Sequence, residues 1–127
     1  MDKEQLKRWV KMLPARDRDL PSISIDGQWM SPNQLLREAE AGTEKGKKVL
    51  QTLSTSHFGT DEEMLKERLR QRLANLPQDK PLFVTLNRTY TPREVMQEVE
   101  SGSRAGQQFI ETERRYLKYT DRLKERV

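Results

Sequence analysis

The chain has 127 residues, 33% of them hydrophobic and 35% charged, with a net charge of +4 that comes from 24 basic and 20 acidic side chains. The length suits one compact domain or two very small ones with a shared core. The sequence has no cysteine, which excludes disulfides and thiolate chemistry, and its opening residues lack a signal-peptide-like apolar stretch. No apolar run approaches the roughly 20 residues of a membrane span, so we expect a cytoplasmic protein.

A repeat organises the chain: residues 20–53 align with residues 80–113 without a gap, at an offset of 60. The strongest matches are prolines and glycines: Pro21 with Pro81, Pro32 with Pro92, Gly42 with Gly102, and Gly46 with Gly106. We predict a helix-dominated α+β fold made by tandem duplication of an α-β-β-α-α module. Copy one occupies residues 1–56 and copy two residues 57–127, and the copies are expected to share one core about a pseudo-twofold axis.

Copy one begins with an amphipathic helix, because Leu6, Trp9, Val10 and Leu13 follow helical spacing before Pro14. A hairpin follows, with strands at residues 22–25 and 28–31 around Asp26-Gly27, a type I′ turn signal. Alternation then places Ile23, Ile25 and Met30 on one face of the hairpin and Trp29 on the other.

The second helix of copy one is predicted to start at Pro32, with Ser31 as its N-cap and Gln34 as the capping-box partner. Gly42 is the expected C-terminal stop, and Thr43 caps a third helix. The polar residues 54–59 are predicted to link the two copies.

Copy two repeats this order. A capping box at residues 60–63 is predicted to open a leucine-rich helix, and a weaker hairpin turn falls at Leu86-Asn87. Thr91 and Pro92 then start a helix that stops at Gly102, and the last helix is long. Glycines at residues 46 and 106 are interpreted as points of close helix approach.

No catalytic, metal-binding or cofactor-binding residue is predicted. His57 is the only histidine and lies in the polar link, so a zinc site lacks ligands. Two Glu-x-Glu pairs, Glu38 with Glu40 and Glu98 with Glu100, recur near helix ends, but their members point about 200° apart on a helix. A structural role for these carboxylates is favoured over presentation to a partner, and catalysis is least favoured.

The outward faces of the two hairpins are too apolar for free solvent, which makes Trp29, Leu82 and Val84 the candidate partner-binding residues. Two explanations remain open. The hairpins pack or pair with each other and bury Trp29 internally, or the face is open and docks a partner or a second copy.

Basic residues crowd the last helix, and Arg114, Arg115, Lys118 and Arg122 are the candidate contacts for an anion or nucleic acid. Interleaved carboxylates dilute them, so a solvated face is the simpler interpretation. We therefore expect a non-enzymatic protein-interaction module, an adaptor or assembly factor with an unknown protein partner. A nucleic-acid-binding protein is the alternative, an enzyme ranks third, and a homodimer remains open.

Overall fold

The computed structural model describes residues 1–84 and 88–127. Its helices are α1 (Lys3–Met12), α2 (Pro32–Ala41), α3 (Glu44–Thr55), α4 (Glu62–Ala74), α5 (Pro92–Ser101) and α6 (Arg104–Arg122). Its strands are β1 (Ile23–Ile25), β2 (Gln28–Met30), β3 (Phe83–Val84) and β4 (Thr89–Tyr90). The prediction of a helix-dominated α+β fold is confirmed.

Each pair of neighbouring strands forms its own antiparallel sheet, β1 with β2 and β3 with β4. The predicted register of the first hairpin is confirmed, since Ser24 pairs with Trp29 and the Ile23 and Met30 positions face each other. Asp26 and Gly27 have φ angles of 54° and 77°, as a type I′ turn requires. The predicted turn at Leu86-Asn87 lies outside the described residues.

The starts of α2 and α5 are capped as predicted. Ser31 accepts the backbone N–H of Gln34 at 3.2 Å, and Thr91 accepts that of Glu94 at 3.2 Å. The Gln34 and Glu94 side chains accept the cap residues' own N–H groups, which closes both capping boxes. Both helices end at a left-handed glycine with φ 68°.

Close contact between consecutive helices depends on two glycines inside them. A Cβ atom at Gly46 would overlap the carbonyl oxygen of Glu38, and one at Gly106 would overlap that of Glu98. Thr43 and Ser103 cap the incoming helices by accepting the glycine N–H groups. The sequence-based interpretation of close approach at these two corners agrees with this geometry.

Two predictions about the region between the halves are wrong. The N-cap of α4 is Asp61 rather than Thr60, because the Asp61 carboxylate accepts the N–H of Met64 at 3.2 Å and suits the positive helix end. The link is also not simply polar: α3 runs to Thr55, and Phe58 is 1% exposed with its ring 5.4 Å from that of Trp9. The link thus contributes an apolar side chain to the core.

One hydrophobic cluster includes buried side chains from both halves, among them Trp9, Leu53, Leu69, Val99 and Leu117. The C-terminal part of α6 completes it. Trp9 Nε1 donates to the Thr120 carbonyl at 2.7 Å, which fixes α1 beside the last turns of α6. The two ends of the described chain therefore meet in the core.

The segments at offset 60 show the same order of two strands and two helices. They differ at the end, because α3 has 12 residues and α6 has 19. Beyond α3 the chain turns into the link and α4, whereas α6 continues straight to Arg122. The segment that follows α3 therefore places α4 beside the first hairpin, and α6 does not place a helix beside the second hairpin in the same way.

Candidate functional site

A buried ionic cluster joins the 3₁₀ turn Ala15–Asp17, α4 and α6. Arg68 is 1% exposed, and its Nε donates to Glu113 Oε1 at 3.0 Å while Nη1 donates to the Pro21 carbonyl at 2.8 Å. Arg72 Nη2 donates to the same Glu113 oxygen at 2.8 Å. Asp17 completes the cluster; its Oδ1 lies 3.0 Å from Arg72 Nη2 but outside hydrogen-bonding geometry.

Burial in this cluster changes the pKa values of two side chains. Desolvation lowers the pKa of Arg68, although the neighbouring Glu113 carboxylate opposes the change. Burial and the 2.6 Å hydrogen bond that Tyr116 donates to Asp17 Oδ2 together raise the pKa of Tyr116 to about 12. With two cations and two carboxylates, the cluster is formally neutral. We interpret it as a structural ion-pair network that fixes the first half of the chain against the second.

Sequence reasoning missed this cluster, although one signal was present. Arg68 follows Leu65 by three residues and precedes Leu69 by one, so it lies on the apolar face of α4. A charged residue at such a position predicts a buried partner.

Two adjoining surface depressions run along the exposed side of α4. The first, of about 700 Å³, is lined by Leu20, Leu73, Leu76 and Leu82 together with Arg16 and Arg72. The second, of about 350 Å³, is lined by Pro21, Trp29, Ser31, Gln34 and Glu67. Asp19 and Gln71 line both. We call the surface defined by Trp29, Asp19, Gln71, Leu76 and Leu82 the α4 strip.

The structure brings two of the three predicted partner-binding residues onto this strip. Trp29 is 37% exposed, and its Nε1 donates to Asp61 Oδ2 at 3.2 Å, which fixes the ring. Leu82, at the other end of the strip, is 38% exposed. Val84 contributes its backbone to β3, and its side chain lies outside what the structure describes. Sequence reasoning did not identify Gln71 or Leu76.

The idea that the hairpins bury Trp29 between them is wrong. No strand of one hairpin pairs with the other among the described strands, and Trp29 reaches the surface. The physical reason is α4, which takes the space beside the first hairpin. Its Arg68 donates to the Pro21 carbonyl and its Asp61 holds Trp29.

Charge is divided between the ends of the α4 strip. Arg16 lines only the depression with Leu76 and Leu82, is exposed, and makes no ion pair or hydrogen bond within residues 1–84 and 88–127. Glu67 lines only the depression with Trp29 and pairs with Arg70. Arg70 also pairs with Glu100, so these three side chains together keep one negative charge. The strip therefore has a basic end and an acidic end.

The predicted basic contacts on α6 separate into two groups. Arg114 is committed to structure, since its Nε donates to the Gly59 carbonyl at 2.9 Å and its guanidinium pairs with Glu111. Arg115, Lys118 and Arg122 are exposed at i, i+3 and i+7 spacing. They share this face with Tyr119, which is also exposed.

The remaining candidates take structural or solvent-facing positions. His57 has an 83% exposed side chain with Nδ1 3.1 Å from Asp121 Oδ2. Glu98 accepts hydrogen bonds from Ser103, and Glu100 pairs with Arg70 at 2.6 Å. Within the described ranges no group of three or more His, Cys, Asp or Glu is placed to hold a metal ion. No helix in the same ranges is long and apolar enough to cross a membrane.

The chain matches no family model, no curated protein and no solved structure in the comparisons made.

Proposed function

We propose that the protein is a non-enzymatic interaction module, an adaptor or assembly factor, that docks a protein partner through the α4 strip. The observation that carries this proposal is the grouping of exposed Trp29, Leu76 and Leu82 along two adjoining depressions. Large apolar side chains that converge on concave surface are typical of docking sites, and aromatic anchors supply much of the binding energy there. The cysteine-free composition is consistent with a cytoplasmic role.

We also propose that the fold arose by duplication of one module, with copies at residues 1–56 and 57–127. The shared element order, capping boxes and helix-contact glycines at offset 60 support this. The copies do not offer equivalent surfaces, since Ser22 is buried beneath Arg68 while its counterpart Leu82 is exposed. Trp29 comes from copy one and Leu76 from copy two, so the proposed docking surface is a composite of both.

The test is affinity capture from native extract with the wild-type chain and with Leu76→Ser and Leu82→Ser variants. Both variants are expected to lose a captured protein, because each removes an exposed apolar contact on the strip. Met12→Ser is the matched control: Met12 is exposed to a similar degree but lines neither depression. Capture that survives both strip variants would contradict the proposal, and nuclease treatment excludes capture through nucleic acid.

Nucleic acid is the second candidate, favoured by the exposed face of Arg115, Lys118, Tyr119 and Arg122. Three cations contacting phosphates predict a slope of roughly −2 to −3 in log affinity against log salt concentration. Fluorescence anisotropy with labelled single- and double-stranded oligonucleotides measures that slope. A Lys118→Glu variant should reduce affinity, and absence of binding at about 20 mM salt would exclude this candidate.

A further inference from the structure

The charges on the α4 strip are complementary to those of a second α4 strip that lies antiparallel to it. Its basic end carries Arg16 beside the large apolar depression, and its acidic end carries Glu67 beside Trp29. Gln71 lies between them and lines both depressions. From Glu67 to its last residue, Ala74, α4 rises about 10 Å at 1.5 Å per residue, and Leu76 follows two residues later.

We propose that the occupant of the α4 strip is a second copy of this chain, bound antiparallel about a twofold axis near Gln71. This inference rests on the proposed docking function and names its partner. In a twofold interface, every contact from residue i to residue j is repeated from j to i. Trp29 of each copy then enters the 700 Å³ depression of the other, where Leu76 and Leu82 are exposed.

Charge complementarity favours this occupant. In the antiparallel arrangement Arg16 of each copy faces Glu67 of the other, which gives two identical ion pairs. A parallel arrangement instead places like charges together, which is costly. Gln71 Nε2 donates one hydrogen to Glu67 Oε1 at 3.1 Å, which leaves its second amide hydrogen and its carbonyl oxygen. Two Gln71 side chains on the axis can therefore still bond to each other.

Volume is also compatible. A depression of about 700 Å³ falls within the range of sites that enclose drug-sized groups, and it accepts an indole ring with room for neighbouring side chains. Trp29 is held by its bond to Asp61, so little side-chain freedom is lost when it docks.

The experiment is a charge swap followed by analytical ultracentrifugation. Wild type is expected to show a concentration-dependent monomer–dimer equilibrium. Arg16→Glu and Glu67→Lys should each weaken self-association about tenfold or more, because each creates two like-charge contacts in the twofold interface. An equimolar mixture of the two variants should dimerise again, since the new carboxylate at position 16 faces the new ammonium at position 67 and the second pair is wild type.

Controls separate loss of association from loss of folding. Both variants should keep the wild-type circular dichroism spectrum. Arg16→Glu should also keep the melting temperature, since Arg16 is exposed, whereas Glu67→Lys should lower it slightly because its pair with Arg70 is lost. A Lys3→Glu variant, exposed on α1 and away from the strip, should dimerise as wild type does. Should Glu67→Lys perturb folding, Trp29→Ser provides a second variant, which is expected to abolish association.

A crosslink gives an independent measurement. Because the chain has no cysteine, Gln71→Cys introduces a single thiol near the proposed axis, and mild oxidation should produce a covalent dimer. Gln108→Cys, exposed on α6, is the control and should stay monomeric.

A wild-type chain that stays monomeric to about 1 mM, or a mixture that does not dimerise again, would overturn the inference. A different result would contradict the proposed docking function. If the chain is monomeric but Leu82→Ser loses a captured protein, the strip docks a different partner and the proposed function stands. If capture is also unchanged, both proposals fail.

Discussion

A missing side chain sets how closely α2 and α3 pack, and the same holds for α5 and α6. Gly46 and Gly106 lie inside helices and have ordinary helical backbones, so left-handed geometry is not the reason for glycine. The reason is the carbonyl group of Glu38 or Glu98, which occupies the place of the absent Cβ atom. Glycine normally destabilises a helix, but at these two positions it permits the close contact between consecutive helices.

Gly106→Ala tests this. In a typical helix interior the change stabilises by about 0.5–1 kcal/mol, because alanine has the higher helix propensity. Here we expect destabilisation of about 1–3 kcal/mol, since the methyl group forces α5 and α6 apart. Urea unfolding gives the free-energy change, and Gln108→Ala on the same helix should be nearly neutral. A stabilised Gly106→Ala variant would refute the close contact.

Ionisation of Tyr116 makes the free energy of unfolding depend on pH in the alkaline range. Its pKa is raised to about 12 from the ordinary value of 10 by burial and by its hydrogen bond to Asp17. Between these values the folded chain retains a proton that the unfolded chain has lost. The stabilisation is therefore complete below pH 10 and is lost as pH rises toward about 12.

We expect Tyr116→Phe to flatten the fall in unfolding free energy over this range. Urea unfolding at several pH values between 9 and 12 measures the slope, and Tyr119→Phe, at an exposed position on the same helix, is the control. Equal slopes for wild type and Tyr116→Phe would show that Tyr116 does not contribute.

Among the elements, α4 has the largest structural role that local sequence patterns did not reveal. The β1–β2 hairpin and the α2 and α5 capping boxes depend on residues a few positions apart, so the sequence predicts them well. The cluster of Asp17, Arg68 and Glu113 depends on residues far apart in the chain, and no local pattern encodes such pairing. The sequence predicts a polar link around Phe58 for the same reason, because only the tertiary fold brings its ring beside that of Trp9.

Arg68→Met should cost about 3–5 kcal/mol of unfolding free energy, because Glu113 would be left buried beside a single remaining cation, Arg72. Arg70→Met, two residues along the same helix, removes only exposed ion pairs with Glu67 and Glu100 and should cost less than about 1 kcal/mol. Denaturant unfolding of both variants supplies the comparison. Similar costs for the two variants would contradict the structural role of the buried ion pair between Arg68 and Glu113.

At the scale of the whole molecule, the hydrophobic cluster draws on both halves, so the halves should unfold together. Tryptophan emission reports residues 9 and 29, both in the first half, whereas far-ultraviolet circular dichroism reports helices throughout. We expect the two urea transitions to coincide, as in two-state unfolding. Separated midpoints would mean that residues 1–56 and 57–127 unfold independently.

The α4 strip likewise became visible only at this scale. The alternation within the first hairpin predicted that Trp29 faces away from the hairpin's core side, and the structure agrees. Around it on the surface lie Asp19, Glu67 and Gln71, the last two from α4, and no repeat or periodicity connects these residues to Trp29. The sequence therefore identified the apolar anchors Trp29 and Leu82 but not the surface that joins them.

The bond from Trp9 to the Thr120 carbonyl spans 111 positions, and it has a consequence for biosynthesis. During translation at about 5–20 residues per second, roughly 6–22 s separate the appearance of these two residues. Through that interval α1 can contact α2, which is synthesised early, but the Trp9 indole N–H lacks the acceptor that it has in the folded chain. Complete burial of Trp9 therefore waits until the last turns of α6 have been synthesised.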